Sequence, residues 1–371
     1  MDPNVKAVVL AIAGLFGANV GSFLNVCIYR MPRDGLSVHR PRRSFCPSCG
    51  TGIQWYDNIP LVSWLWLGGR CRYCGAPVSM RYFLVEGLTA ALFMIVALRY
   101  LGGGEAQWAA CLVVLVLVAA LIVASFIDLE LRILPDEITL GGMYAVPLIA
   151  LFVPDLHTQP VDRHVSQLLH WLYGSVAPLV GGPAGVGPWT VVVIAAIVAG
   201  AVGGVVGLYG YASYWRWAHP DDPKRLRDGA LAGIVALCVA TLAATVCLRP
   251  TLLLSVHVYS LVAALLGMFS GAGLVFGVGV VGTKLFRKPA MGFGDVKLMG
   301  LLGGFTGWSG VITGFFLACL LGSVVGIVLL VRYRSRYLPF GPFLAVGAFI
   351  MLLFPNALGV FWAWWLTVLV G

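Results

Sequence analysis

The chain has 371 residues, of which 60% are hydrophobic and only 11% are charged. Soluble domains carry about a quarter charged residues, so this composition excludes an ordinary soluble domain and indicates an all-α polytopic membrane protein. The formal net charge is +9, but the basic residues cluster between the apolar runs, as the positive-inside rule predicts. We therefore expect membrane lipid, and no nucleic acid, among the partners.

Apolar runs that approach or exceed the roughly 20 residues of a membrane-spanning helix recur along the chain, and we predict about 8–10 transmembrane helices. The first run, within 1–29, lacks the basic start and the cleavage site of a signal peptide, so we interpret it as a retained helix. A last apolar piece at 357–370 returns into the membrane or continues the span before it. The predicted spans are about 7–28, 83–101, 108–127, 138–154, 189–213, 230–248, 256–282, 296–308, 310–331 and 340–354.

The charge between the spans gives their orientation. Segment 30–82 contains eight arginines and two aspartates, which is typical of a cytoplasmic loop. Alternation of the spans then places 155–188 outside and the later basic stretches inside. We divide the remaining chain into helices at 83–154, a polar and apolar segment at 155–255, and helices at 256–371.

The cytoplasmic loop contains two CxxC pairs, Cys46 with Cys49 and Cys71 with Cys74, each followed by a glycine. This spacing resembles a zinc ribbon, so we predict a small zinc-ribbon-like domain. Cytoplasmic thiols stay reduced, which disfavours disulfides, although disulfides or bare thiols remain alternatives. Four thiolate ligands leave no open position, so the predicted zinc is structural.

Two acids stand at the ends of apolar runs, Asp128 in "SFIDLELRILPDEIT" and Asp295 in "MGFGDVKL". The predicted topology places both at the cytoplasmic face. Two neighbouring carboxyls do not both ionise easily, so one can act as an acid while the other activates water. We expect Gly292 and Gly294 to leave room for a substrate backbone and to allow an unusual turn. The alternative for Asp295 is a helix N-cap.

The neighbouring charged residues have several interpretations. Asp136 follows a proline and precedes a span, which favours capping. We expect Glu130 to face water or to balance Arg132. Glu86, just inside the second span, is either paired with an arginine or part of a site. Lys297 either contributes to the field of the active site or reaches the lipid headgroups.

The motifs "GSFLNVCIYRMPR" (21–33), the paired CxxC, "SMRYFLVEGLTAALF", "FIDLELRILPDEITL", "GFGDVKLMG" and "PFGPFLAVG" occur in this order. Together they resemble the type IV prepilin peptidase and N-methyltransferase family. The resemblance implies a bifunctional enzyme of the bacterial inner membrane, with its active site at the cytoplasmic face. Such an enzyme cuts the leader from prepilins or type II secretion pseudopilins after a glycine. It then methylates the new N-terminal residue with S-adenosylmethionine.

The resemblance also implies roles for individual residues. Asp128 and Asp295 occupy the positions of the catalytic pair, and the four cysteines match the zinc loop of the family. A pocket for the methyl donor would lie between the zinc loop and the first two spans. Our candidates there are Asn25, Arg81 and Glu86.

The chain departs from the family in one respect, because members usually place the two aspartates closer together and have about eight spans. We therefore interpret residues 155–255 as an insertion that supplies an external loop and two extra helices. Its role stays open among shaping the substrate groove, binding a partner and contacting lipid.

Three other functions are compatible with the sequence. The chain could be a peptidase without methyltransferase activity, or a transporter with a regulatory zinc loop and broken helices. It could also be an intramembrane aspartyl protease of the presenilin kind, although these usually have Tyr before the first Asp, where this chain has Ile127. The individual substrates, a role in pili or in secretion, and the oligomeric state are left open.

Overall fold

A computed structural model describes residues 2–33, 36–39, 44–101, 107–157, 256–288, 291–334 and 338–354. The chain forms two compact units, Met1–Gly142 with Leu266–Gly371, and Met143–Leu265. The spans predicted at 189–213 and 230–248, the last apolar piece, and nearly all of the predicted insertion lie outside the described residues.

Helices make up most of the described residues, which contain no β-strand beyond two isolated bridges in the cysteine loop. Short 3₁₀ turns occur at Trp55–Asn58 and Pro154–Leu156. The α-helices are α1 Pro3–Arg30, α2 Val62–Trp66, α3 Met80–Leu101, α4 Trp108–Leu131, α5 Asp136–Phe152, α6 Val256–Phe286, α7 Phe293–Tyr333 and α8 Gly341–Leu353.

Five helices in the described part of the chain are long and apolar enough to cross a membrane. They are α1, α3, α4, and the stretches Tyr259–Phe286 of α6 and Phe293–Arg332 of α7, while α8 is a shorter apolar helix. The predicted spans in this part of the chain coincide with helices to within a few residues. The chain is therefore an all-α multi-pass membrane protein with a small cysteine-containing loop domain.

Helix α7 contains both spans predicted at 296–308 and 310–331. It has 41 residues and would be about 60 Å long as one straight helix, twice the roughly 30 Å of a hydrocarbon core. At Gly307 the backbone leaves the helical conformation, with φ 71° and ψ 174°. A positive φ costs glycine little, so the break lies at Gly307, slightly before the predicted boundary.

Glycines allow the helices to approach closely. A Cβ at Gly17 or Gly21 of α1 would lie 2.7–2.9 Å from backbone atoms of α3. Gly267 of α6 and Gly303 of α7 contact each other in the same way, since a Cβ on either would come within about 2 Å of the other's carbonyl oxygen. Such small residues are the usual contacts between membrane helices.

Helix α3 has an outward apolar stripe. Met80, Leu84 and Leu88 are exposed and recur every four residues, which places them on one side of the helix. Val85 and Phe93 are buried. Helix α3 therefore has an apolar stripe that the protein leaves exposed.

Candidate active site and metal centre

The four cysteines of the loop form one cluster. The sulfur atoms of Cys46, Cys49, Cys71 and Cys74 all lie within 4.8 Å of one another. Sulfurs bound at about 2.3 Å around a tetrahedral zinc ion would lie about 4 Å apart, so the cluster can hold such a metal ion. The Thr51 hydroxyl lies 3.3 Å from the Cys49 sulfur.

The two halves of the cluster have the same backbone turn. The N–H of Gly50 donates to the Cys46 carbonyl at 2.8 Å, and the N–H of Gly75 donates to the Cys71 carbonyl at 2.9 Å. Both glycines have φ of 69°, a conformation that strongly favours glycine. Each CxxCG stretch therefore builds its half of the cluster from local sequence.

The two predicted catalytic acids come together at one end of the larger unit. Asp128 is buried in the last turn of α4, and Asp295 is half-buried in the first turn of α7. The two acids are far apart in sequence, yet Leu134 lies within 3.4 Å of Cβ positions built on both Gly294, next to Asp295, and Gly341, whose N–H binds Asp128. The N-cap of α7 is Gly292, so the interpretation of Asp295 as the N-cap is wrong.

Sequence reasoning did not assign a role to Gly341, which lies beside Asp128. Its N–H donates to Asp128 Oδ2 at 3.1 Å. As the first residue of α8, Gly341 has an N–H that no helical carbonyl accepts, and the helix N-terminus favours a negative charge. A Cβ at Gly341 would lie 2.7 Å from that carboxylate oxygen. The sequence feature that could have identified Gly341 is its place directly before Pro342 in "PFGPFLAVG", because a proline of this kind often marks the start of a helix.

The two glycines before Asp295 differ from expectation. Gly292 has φ −74° and ψ 145°, an extended conformation open to any residue, so the predicted unusual turn is wrong. A Cβ at Gly294 would lie 3.2 Å from Leu134, so this chain's own Leu134 occupies the space there. Leu134 also lies 3.4 Å from a Cβ built on Gly341 and separates the starts of α7 and α8. Substrate room beside Gly292 stays a prediction.

Lys297 forms an ion pair with Asp136, and the Nζ–Oδ1 distance is 2.6 Å. Lys297 is buried, so the interpretation that it reaches the headgroups is wrong. Asp136 is the first residue of α5 and not its cap, and its carboxylate binds α7 instead. This pair fixes the segment after Asp128 to the helix that carries Asp295.

The three candidates for the methyl-donor site line one pocket. Asn25, Arg81 and Glu86 face a cavity of about 460 Å³ between α1, the start of α3 and the cysteine loop. Asn25 is only 2% exposed. Its Oδ1 and the Nε of Arg81 are buried without a hydrogen-bond partner among the described residues. Unpaired buried polar atoms are rare, and the volume is that of a small-molecule site, so the pocket suits a polar ligand.

Glu86 fixes the loop to α3. Its Oε2 accepts the N–H of Leu61 at 2.7 Å, so its partner here is the loop backbone. Leu61 has φ 64° and ψ −49°, and the Val62 N–H donates to the Pro60 carbonyl at 2.7 Å. This is the γ-turn with a positive φ, which is rare and strained.

Arg81 links the pocket to the helix of the first acid. It forms an ion pair with Glu130 of α4, two residues after Asp128. The expectation that Glu130 faces water or balances Arg132 did not identify this partner.

Comparison with known families gave two matches. A family model described as Bacterial Peptidase A24 N-terminal domain matches residues 15–100, which include the cysteine cluster and the pocket. A second, described as Type IV leader peptidase family, matches residues 229–327, which include Asp295. Asp128 lies between the two matches. The second match begins inside 155–255, where the insertion stays a prediction.

Several curated proteins named prepilin leader peptidase/N-methyltransferase are similar to this chain. One from Aeromonas salmonicida (strain A449) is 30% identical over 93% of this chain and 90% of its own length. Another, from Aeromonas hydrophila, is 29% identical over 95% of this chain and 92% of its own length. A protein from Myxococcus xanthus (strain DK1622) is 52% identical over 38% of each chain. No solved structure matches the chain. The chain therefore belongs to the type IV leader peptidase family.

Proposed function

We propose that this chain is a bifunctional membrane enzyme that removes the leader peptide from prepilins or pseudopilins and N-methylates the new N-terminal residue. The family and the names of the relatives support both activities. The observation that carries the peptidase half is that Asp128 and Asp295 lie at the same end of the larger unit, beside the starts of α8 and α7 and on either side of Leu134. Such a pair of carboxyls is the chemistry of an aspartic endopeptidase.

The mechanism needs one proton shared by the two acids. The ionised carboxylate accepts a proton from water, whose oxygen attacks the scissile carbonyl, while the protonated carboxyl donates its proton to the carbonyl oxygen. The carboxyl that accepted the proton from water then donates it to the leaving amine as the carbon–nitrogen bond breaks, and the other carboxylate takes back the proton from the former carbonyl oxygen. Both carboxyls lie at helix N-termini, of α8 and α7, which offsets part of the cost of the negative charge. The Gly341 N–H holds Asp128 in place.

For methyl transfer, we propose that S-adenosylmethionine binds in the pocket between α1, α3 and the cysteine loop. When bound, it supplies the methyl group. The Asn25 Oδ1 is a free acceptor and the Arg81 Nε a free donor among the described residues. They suit the ammonium and carboxylate groups of an amino acid, respectively. Glu86 lines the same pocket and also holds its wall through Leu61.

We further propose that the cysteine cluster holds a structural zinc ion, because four sulfur ligands leave no open position for a substrate. The arginine-rich segment 30–82 supports a cytoplasmic orientation of this end of the molecule. The active site would then lie at the cytoplasmic face of the bacterial inner membrane.

The test of the two activities uses the purified chain in lipid nanodiscs and a synthetic prepilin with its leader, with and without S-adenosylmethionine. Mass spectrometry of the product should show cleavage in both cases and a methyl group only with the donor. Asp128→Asn and Asp295→Asn should each abolish cleavage and still methylate a peptide that is already cut. Asp2→Asn, which can still cap α1, is the control. Cleavage by either active-site variant at the wild-type rate would contradict the assignment, and an unmethylated product would indicate a peptidase alone.

The test of the pocket is a binding measurement. Asn25→Ala should weaken binding of S-adenosylhomocysteine about tenfold by isothermal titration calorimetry, the effect of one lost hydrogen bond. Gln107→Ala is the matched control, because Gln107 also has a buried oxygen without a partner among the described residues but lies outside this pocket. Equal affinity of the Asn25 variant and the wild type would place the donor elsewhere.

A further inference from the structure

The short helix α2 in the cysteine loop has one fully apolar outer face. Val62, Leu65 and Trp66 are 54%, 62% and 81% exposed, and their spacing puts them on the same side of the helix. The other side contacts the protein, since Ser63 is buried and the Trp64 ring contacts the Phe83 ring of α3 at a tilt of 38°. Within the described residues nothing covers the three outer side chains, which we call the α2 face.

The α2 face lies next to the exposed apolar stripe of α3. Leu61 approaches to 3.7 Å from a Cβ built on Gly87, and the Trp64 ring centroid is 5.3 Å from that of Phe83. On the helix, Gly87 and Phe83 both lie along one edge of the stripe that begins at Met80 and Leu84. The apolar surface of the stripe therefore continues onto the loop.

The contact between the loop and α3 lies near one end of the membrane-spanning helix. Helix α3 has 22 residues, or about 33 Å, close to the roughly 30 Å of a hydrocarbon core. Gly87 is seven residues, about 10 Å, from the Met80 end of the helix. Amphipathic elements at a membrane surface bury their apolar side about 5–10 Å into the boundary of headgroups and acyl chains.

Hydrogen bonding and charge agree with that position. Backbone groups away from water need partners within the protein, and here the Leu61 N–H binds Glu86 while the Ile59 N–H donates to the Ser63 hydroxyl. The surrounding segment 30–82 has eight arginines and two aspartates, so it is attracted to anionic headgroups. Tryptophan itself is enriched at the membrane–water interface.

We propose that the α2 face inserts into the headgroup region of an anionic bilayer and ties the metal-binding loop to the membrane beside α3. The partner is the lipid surface itself. This inference rests on the membrane spans and on the position of α2, and it is independent of the peptidase and methyltransferase assignments.

The first experiment is photo-crosslinking in nanodiscs that contain an anionic phospholipid with a diazirine in its acyl chain, near the headgroup. Mass spectrometry of proteolytic peptides should find lipid adducts on 62–66 as well as on Met80 and Leu84. Adducts on α3 alone would overturn the proposal. The variant with Leu65→Glu and Trp66→Glu should lose the loop adducts, whereas Leu65→Phe with Trp66→Phe should keep them. Equal zinc content of the two variants would show that the cysteine loop is folded in each of them.

The second experiment uses hydroxyl radicals generated in water. In nanodiscs, Trp66 should oxidise several-fold more slowly than Tyr73, an exposed residue on the second cysteine turn, each relative to the unfolded chain. Equal relative rates would overturn the proposal. Protection of Trp66 that appears only after a prepilin is added would overturn it too, and would make the α2 face a substrate contact.

Discussion

The cysteine loop and the acid pair are assembled in opposite ways. The four cysteines lie in one short loop, and two similar turns bring their sulfurs within 4.8 Å of one another. Asp128 and Asp295 come from helices at distant places in the sequence, and they meet only because α4, α7 and α8 pack together. A substitution that disrupts the local turns should therefore leave the acid pair intact, and one that disturbs the helix packing should leave the cysteine cluster intact.

Two polar contacts connect these regions. Glu86 of α3 holds the loop backbone at Leu61, and Arg81 of α3 pairs with Glu130 on the helix of Asp128. Helix α3 is thus the element that both regions share. Substitutions at the two sites should leave each other's activity intact, whereas substitutions on α3 should affect the loop and its pocket.

The largest expected effect is on the loop. Cys46→Ser combined with Cys71→Ser should release the metal and unfold the loop, because a structural metal site contributes its binding energy to folding. Methylation should be lost, since the loop walls the pocket, while cleavage by the acid pair persists. Metal content by mass spectrometry and the two activity assays measure this, with Cys319→Ser as control. If both activities stay at wild-type rates, the loop is not part of the working enzyme.

The next largest effect is expected at the acid pair, where cleavage should be lost while methylation persists. Gly341→Ala should reduce cleavage about a hundredfold, because the new Cβ would lie 2.7 Å from Asp128 Oδ2 and a displacement near 1 Å costs about that much. Methylation of a cut peptide and the metal content should not change. Gly273→Ala in α6 is the control, since its Cβ would have no atom of the described residues within 4 Å. A Gly341→Ala enzyme as fast as Gly273→Ala would contradict the role of Gly341.

An intermediate effect concerns the attachment of the loop to α3. Glu86→Ala removes the acceptor for the Leu61 N–H, so hydrogen exchange at that amide should speed up about tenfold, the equivalent of one hydrogen bond. Affinity for the methyl donor should fall as the pocket wall loosens. Glu86→Gln keeps an acceptor oxygen and should restore most of the protection. Unchanged exchange in Glu86→Ala would mean that other contacts hold the turn.

The smallest effect is expected at the ion pair between Arg81 and Glu130. Both side chains are partly exposed, and pairs of this kind contribute about 1 kcal/mol or less. A double-mutant cycle with Arg81→Met and Glu130→Gln, read out as donor affinity and as thermal stability, gives the coupling. A coupling free energy well above that range would show that the pocket and the helix of Asp128 are more tightly connected than the exposure indicates.

The fold and several site residues were accessible from sequence to different degrees. Apolar runs predicted the described membrane helices, because chain length and hydropathy alone decide whether a segment can span a bilayer. The CxxCG spacing predicted the cluster, since each turn forms from neighbouring residues. The capping role of Asp136, the extension of Lys297 to the headgroups and the unusual turn at Gly292 were wrong predictions. Their outcome depended on partners, or on a backbone conformation, that no local pattern specifies.

The sequence by itself determined the membrane class, the cysteine turns and the types of side chain available for chemistry, because these follow from composition and from short-range geometry. Only the tertiary structure decided that Gly341 would hold Asp128, that Lys297 would bind Asp136 and that Glu86 would hold Leu61. Each of these contacts joins distant parts of the chain. Their partners are fixed by how closely the helices pack and by the need to pair every buried polar group.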